Sequence, residues 1–162
     1  MEFAKPQQQH QWLQQLVGDW EYTMTAVMGE DGAEETHKGT ETVRSLGGLW
    51  IVGEGTCPGT EDGATGVNML TLGYDPAQSA FIGTWVGSMM TNMWIYRGQL
   101  DSTGKILTLD TTGPSWTDPA KTQAYRDIVE VVDANTRYLR SETQQEDGTW
   151  NRFMTSKYTR KS

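Results

Sequence analysis

The run PQQQHQWLQQLVGDWEYTMTAVM, Pro6 to Met28, changes its hydrophobic period halfway, and that change decides the fold. Over Pro6 to Val17, the residues Trp12, Leu13, Leu16 and Val17 share one helical face; Pro6 suits a first turn and Gly18 a stop. The spacing predicts one short amphipathic helix over 6–17. From Gly18 the period is two: Trp20, Tyr22 and Met24 point one way, while Glu21, Thr23 and Thr25 point the other, as in a half-buried strand.

Everything downstream repeats the second half of that run. The turn signals are Glu30–Gly32, Pro58–Gly63, Asp75-Pro76, Ser102–Gly104, Pro114–Lys121, Ala134-Asn135 and Asp147-Gly148. Between them lie strand-like segments, among them GLWIVGEGTC, TGVNMLTLGYD, SAFIGTWVG, TNMWIYRGQLD, KILTLDTTG, QAYRDIVEVVD and TWNRFMTSKYTR. That makes about ten strands at the roughly 8–12-residue spacing of sandwiches and barrels. Hairpin-length connections make a meander, and a long meander without a second helix removes its exposed edges by closing on itself. The expected fold is all-β: a single antiparallel up-and-down β-barrel, over about residues 18–160, with the short N-terminal helix capping one end.

Composition agrees. The 162 residues suit one domain; 10% are aromatic and 18 are glycine, a balance that favours short strands and tight turns. The net charge of -8 and pI near 4.7 argue against nucleic acid or an anionic membrane as a partner. Cys57, the single cysteine, cannot form an internal disulfide, and the start MEFAKPQQQHQWLQQL lacks the apolar core of a signal peptide. No run approaches a membrane span, so the expected location is cytoplasmic. With His10 and His37 the only histidines, no metal-site spacing exists, and no cofactor is expected.

Alternation sorts the candidate residues into faces. Asn92, Trp94 and Tyr96 share one face, large apolar bodies with polar tips, as befits a ligand cavity, whereas Met93 and Ile95 read as packing residues. Trp50, Val52 and Glu54 share a face, as do Phe81, Gly83 and Trp85. Arg126, Ile128 and Glu130 lie opposite Tyr125, Asp127 and Val129. Glu54, Arg126 and Glu130 are the charges most interrupted by apolar neighbours. Facing inward they would need partners, because an isolated buried charge costs several kcal/mol; alternation equally makes them a strand's wet face. Met89 and Met90, between two strands, either contact a ligand at a barrel mouth or pack beneath the helix. Cys57 has no basic neighbour to activate it, and Ser88 lacks the flanks of a hydrolase nucleophile.

Gly18-Asp19-Trp20 after a short helix, with Tyr158-Thr159-Arg160 ending the last strand, resembles the calycin pattern of lipocalins and fatty-acid-binding proteins, in which a late Arg or Lys packs over the indole. The motifs VRSLGGLW, LTLGYDP, FIGTWVGSMMTNMWIYRGQLD, YRDIVEVVD and FMTSKYTRK, in this order, resemble the bacterial family known as domain of unknown function 1579, from about Trp12 to Lys161. The resemblance implies a lipocalin-like barrel and no agreed activity. Members often carry His where this chain has Asn92, so no histidine chemistry carries over to that position. Nitrobindin-like heme barrels are related, but both histidines here sit in polar contexts and are expected at the surface, which argues against heme.

Three functional readings follow. The first is a carrier of a small apolar or amphipathic molecule, with Trp50, Trp85, Met90, Asn92, Trp94, Tyr96 and Met154 lining the cavity and Glu54, Arg126 and Glu130 as polar anchors. The second is an enzyme using a buried carboxylate, Glu54 or Glu130, for acid–base chemistry or cyclisation. The third is a filled barrel acting through a homodimer interface on a sheet face.

Overall fold

A computed structural model describes residues 1–28, 32–59 and 63–161, so Glu30 and Asp31 of the turn expected at Glu30–Gly32, and residues 60–62 of the loop expected over Pro58–Gly63, lie outside the described residues. The chain forms one short helix, α1 (Gln8–Gln14), then ten strands: β1 (Gly18–Met28), β2 (Ala33–Leu46), β3 (Trp50–Pro58), β4 (Thr65–Asp75), β5 (Ala80–Gly87), β6 (Trp94–Leu100), β7 (Ile106–Pro114), β8 (Thr122–Asp133), β9 (Thr136–Gln144) and β10 (Trp150–Arg160). Each strand pairs antiparallel with its sequence neighbours, and β1 closes the barrel on β10 with Trp20 opposite Arg160 and Tyr22 opposite Tyr158. The fold is the expected closed, all-β, up-and-down barrel, and among the described residues no strand edge is left unpaired.

In such a meander successive turns alternate between the two ends. The β2–β3, β4–β5, β6–β7 and β8–β9 turns gather at one end, where α1 sits; the β5–β6 and β7–β8 connections and the β9–β10 hairpin rim the other. The helix is shorter than the expected 6–17, because after Gln14 the backbone tightens to three-residue bonds, Leu16 N–H to the Leu13 carbonyl and Val17 N–H to the Gln14 carbonyl. His10, which the polar sequence context assigns to the surface, is buried. Its Nδ1 accepts from the Gln7 backbone N–H at 2.8 Å, which leaves Nε2–H to donate to the Tyr74 carbonyl at 2.9 Å. Trp12 Nε1–H donates to the Gly104 carbonyl, and Leu13 is fully buried in the barrel end. This end is plugged: Trp20, Ile51, Leu72, Phe81, Leu107 and Leu109 are each at most 2% exposed.

The Gly-x-Trp and late-Arg pair is realised in full. Arg160 lies over the Trp20 ring at 4.3 Å and donates to the carbonyls of Gln15, Val17 and Ala134. Two of those carbonyls follow the helix, where orphan acceptors and the negative end of the dipole favour a cation. Gly18 carries φ +141°, and a Cβ there would overlap the Arg160 guanidinium, so only glycine admits the clamp.

Candidate functional site

The half of the barrel away from α1 is furnished differently. Of its inward-facing side chains, Ala26, Thr111, Tyr125 and Ser141 are buried, while Met24, Asn68, Leu70, Trp85, Trp94, Thr143 and Met154 are only part-buried, in contrast to the sealed layer beneath the helix. Such graded exposure along inward positions describes a lumen open at the far end. The register sets where the large aromatics sit. Trp94 lies across Gly113 of β7, Trp85 across Gly87 of its own strand, and Tyr22 across Gly39 of β2; a Cβ at any of these glycines would overlap the ring. With no side chain at those positions, each ring packs directly on the glycine backbone. Trp94 meets Tyr125 edge-to-face at 5.0 Å, Tyr125 meets Phe153 at 6.3 Å, and Phe153 meets Trp116 at 4.8 Å, continuing the aromatic wall to the rim. The irregularity in β10 between Arg152 and Met154 accompanies the contacts of Phe153 with this set.

Below the aromatic wall lies a polar floor. Tyr96 O–H donates to one Asp127 oxygen at 2.5 Å, and Ser141 O–H donates to the other at 2.6 Å. Burial pushes the Asp127 carboxyl above its ordinary value, partly offset by the Ser141 and Tyr96 hydrogen bonds. Burial, then the adjacent Asp127 charge, raises the Tyr96 phenol well above its usual range. Asp127 faces inward on the same side of β8 as Tyr125 and Val129 and is part-buried as a residue.

Deeper still, Arg137 forms a buried ion pair with Glu41 and is stacked between Trp20 at 4.6 Å and Tyr158 at 3.8 Å. Burial and the Glu41 charge push the Tyr158 phenol upward. Arg137 Nε is buried without a hydrogen-bond partner, as is Asn92 Nδ2 in the β5–β6 connection.

The ten candidate residues from the sequence divide between two surfaces. Trp85, Trp94, Tyr96 and Met154 face the lumen, and Met90 lies at the mouth, where its sulfur accepts from Trp94 Nε1–H at 3.1 Å. Asn92 is part-buried beside them in sequence. The other four lie on the outer wall. Trp50 covers Gly73, Glu54 pairs with Arg44 in solvent, Glu130 pairs with Arg140, and Arg126 pairs with Glu142 while stacking on Trp150. Glu142 also takes Arg152; burial would raise its carboxyl, but the two guanidinium partners outweigh that and hold it below the ordinary value. These four charged or aromatic groups find flat partners on adjacent strands outside, so nothing drives them inward.

Three further expectations are corrected. Met93 and Ile95 do not pack in a core; they are 55% and 67% exposed on the outer face, because Trp94 and Tyr96 take the inner one. Met89 and Met90 do not pack under the helix, since the β5–β6 connection lies at the opposite end. His37 is part-buried opposite Met24 and bonds Glu35 at 3.3 Å, near the open rim. Asp127, Ser141, Glu41 and Arg137 were not singled out in the sequence. Alternation alone had set Asp127 on the face of Tyr125 and Val129, and that was the available signal.

The chain matches one family over residues 5–160, described as protein of unknown function (DUF1579). It belongs to that family. No curated protein matches it. Among solved structures, the family member resembles Rv2717c from M. tuberculosis at 12% identity and a TM-score of 0.68, covering 98% of this chain and 100% of that one. It also resembles the S-type phycobiliprotein lyase CPES from Guillardia theta at 12% identity and a TM-score of 0.61, covering 97% and 99%. A redesigned β-barrel matches at 15% identity and a TM-score of 0.50, covering 94% and 96%. At these identities the likeness establishes the barrel and nothing about its contents. Among the described residues no helix is long and apolar enough to cross a membrane, and no cluster of His, Cys, Asp and Glu could hold a metal ion.

Proposed function

We propose that this DUF1579 protein binds a small, partly apolar molecule in the open half of its barrel. The observation that carries the reading is the placement of Trp85 and Trp94 against glycines of the inner wall with both side chains part-exposed, which presents aromatic surface toward the open end. Met24, Met90 and Met154 add polarisable, adaptable contacts around it. The phycobiliprotein lyase named above shares the barrel and by its name acts on a chromophore-bearing protein, which is compatible with this use of the fold.

Native mass spectrometry of the purified protein, followed by extraction, tests the reading. The expected result is a co-purifying molecule at one per chain, or saturable tryptophan quenching by added apolar aromatics that Trp94→Ala abolishes. Quenching unaffected by Trp94→Ala, with no bound molecule, would contradict it.

An acid–base enzyme is the second reading, and one observation keeps it. The carboxyl that meets a tyrosine in the lumen is Asp127, with its raised proton affinity, while Glu54 and Glu130 have arginine partners outside.

A further inference from the structure

The lumen carries chemical information beyond its openness. Among the described residues, the carboxyl, guanidinium and imidazole side chains that alternation and contacts direct inward are Glu41, Asp127, Arg137, Arg160 at the helix-capped end and, toward the rim, His37 with Glu35. Arg160 is held at that end by the carbonyls of Gln15, Val17 and Ala134, which leaves Arg137 as the guanidinium nearer the open half. Its charge is committed to Glu41, its two faces are covered by Trp20 and Tyr158, and both side chains of the pair are under 10% exposed. A carboxylate ligand entering the lumen therefore finds no spare cation and meets carboxyl groups instead. A carboxylate held by its head inside a barrel needs such a cation, because a buried carboxylate without a partner costs several kcal/mol.

The acceptors tell the opposite story. Each Asp127 oxygen accepts one hydrogen bond, from Tyr96 or Ser141, and each retains further acceptor capacity. Asp127 faces inward two residues along β8 from Tyr125, the middle ring of the Trp94–Tyr125–Phe153 wall. Those three rings meet edge-to-face, at 81° and 85°, so neighbouring ring planes present a face and an edge to the same space. A flat ring can stack there and be met by edges, and a cation can lie over a face.

Resting on the lumen as a binding site, we infer that its ligand is a planar aromatic compound bearing a hydrogen-bond donor, an ammonium, amine or hydroxyl, that is received by Asp127, and that carboxylates are excluded. Trp94 and Tyr125 hold the ring, and Asp127 reads the donor. The Tyr96 and Ser141 hydroxyls orient the carboxyl group.

Isothermal titration calorimetry at pH 7 with four probes tests this: 2-naphthylmethylamine, 2-naphthol, 2-naphthoate and dodecanoate. The expected result is one-to-one binding of the amine and the naphthol at least tenfold tighter than naphthoate, with dodecanoate no tighter than naphthoate. Asp127→Asn should weaken the amine at least tenfold and leave naphthoate within threefold. The ranking of the four probes on the unaltered protein stands even if that variant fails to fold. If naphthoate or dodecanoate binds as tightly as the amine, and Trp94→Ala abolishes it, the donor specificity is wrong and the lumen reading survives. If Asp127→Asn folds and leaves amine affinity unchanged, the assignment to Asp127 is wrong. If none of the four probes binds, both readings fall.

Discussion

Replacing Glu41 by Gln should be among the most damaging conservative changes available in this barrel. The Glu41 carboxylate and the Arg137 guanidinium are 8% and 6% exposed as side chains, so the pair is buried on both sides. Arg137 Nε already lacks a partner, and Glu41→Gln would strip the guanidinium of its only counter-charge. The Trp20 and Tyr158 ring faces at 4.6 and 3.8 Å persist in the variant, so they soften the loss without replacing the carboxylate. Breaking a buried pair from one side costs about 3–5 kcal/mol. With the ring faces retained we expect the lower end, about 3 kcal/mol, against a typical domain stability of about 5–15 kcal/mol. Replacing both partners, Glu41→Gln with Arg137→Met, leaves no uncompensated charge and should recover most of that loss. Urea denaturation of the wild type, both single variants and the double variant reads the cycle directly. A loss below about 1 kcal/mol for Glu41→Gln, or a double variant as unstable as the sum of the singles, would refute the reasoning.

Three further outcomes follow from the same geometry. Asp127 has its proton affinity raised by burial, so the folded state holds its proton to higher pH than the unfolded chain, and its contribution to stability is full below the unfolded value and falls as pH rises through the folded one. Asp127→Asn should remove that falling component from a denaturation series between pH 3.5 and 8 (a range on the order of the carboxyl window); an unchanged profile would mean that the carboxyl is not desolvated. Gly113→Ala forces the Trp94 ring off the wall and should cost about 1–3 kcal/mol, with a shift in tryptophan emission that reports the displaced indole. Arg160→Met removes three hydrogen bonds to the carbonyls of Gln15, Val17 and Ala134, and should cost about 2–3 kcal/mol while raising amide exchange in α1 above that of the strands.

Much of the fold was written locally. The switch from helical to twofold period at Gly18, and hairpin signals such as Asp75-Pro76 and Asp147-Gly148, are short-range features, and closure follows from the absence of anything else to cover an edge. The inner face of β6 was legible for the same reason, since Trp94 and Tyr96 alternate cleanly against Met93 and Ile95. What alternation does not provide is a label saying which face is inside. On β8 the inward Asp127 is charged while the outward Ile128 is apolar, so hydropathy pointed to Arg126 and Glu130. Asp127 is tolerated inside because Tyr96 and Ser141, on two other strands, supply its donors, and strand-to-strand partners leave no trace in a window of neighbouring residues. Glu41 is the extreme case: it stands in a polar strand, and the arginine that justifies its burial lies 96 residues away. Trp50 misleads in the opposite sense, as a large aromatic placed outside because Gly73 on the adjacent strand offers it a flat seat. The two ends of the barrel were likewise invisible until the strand count fixed the parity of each turn, which is why Met89 and Met90 could be assigned to the helix.

The methionine methyl groups offer the most direct test that the open half of the barrel is where a small molecule sits. Met24, Met90 and Met154 belong to the lumen or its mouth, whereas Met69 and Met93 lie exposed on the outer wall. In a protein carrying 13C at the methionine methyls, titration with 2-naphthol followed by heteronuclear NMR should move the Met24, Met90 and Met154 signals saturably and together, while those of Met69 and Met93 stay in place. Shifts confined to Met69 and Met93 would put the apolar binding surface on the outside of the barrel and contradict the account.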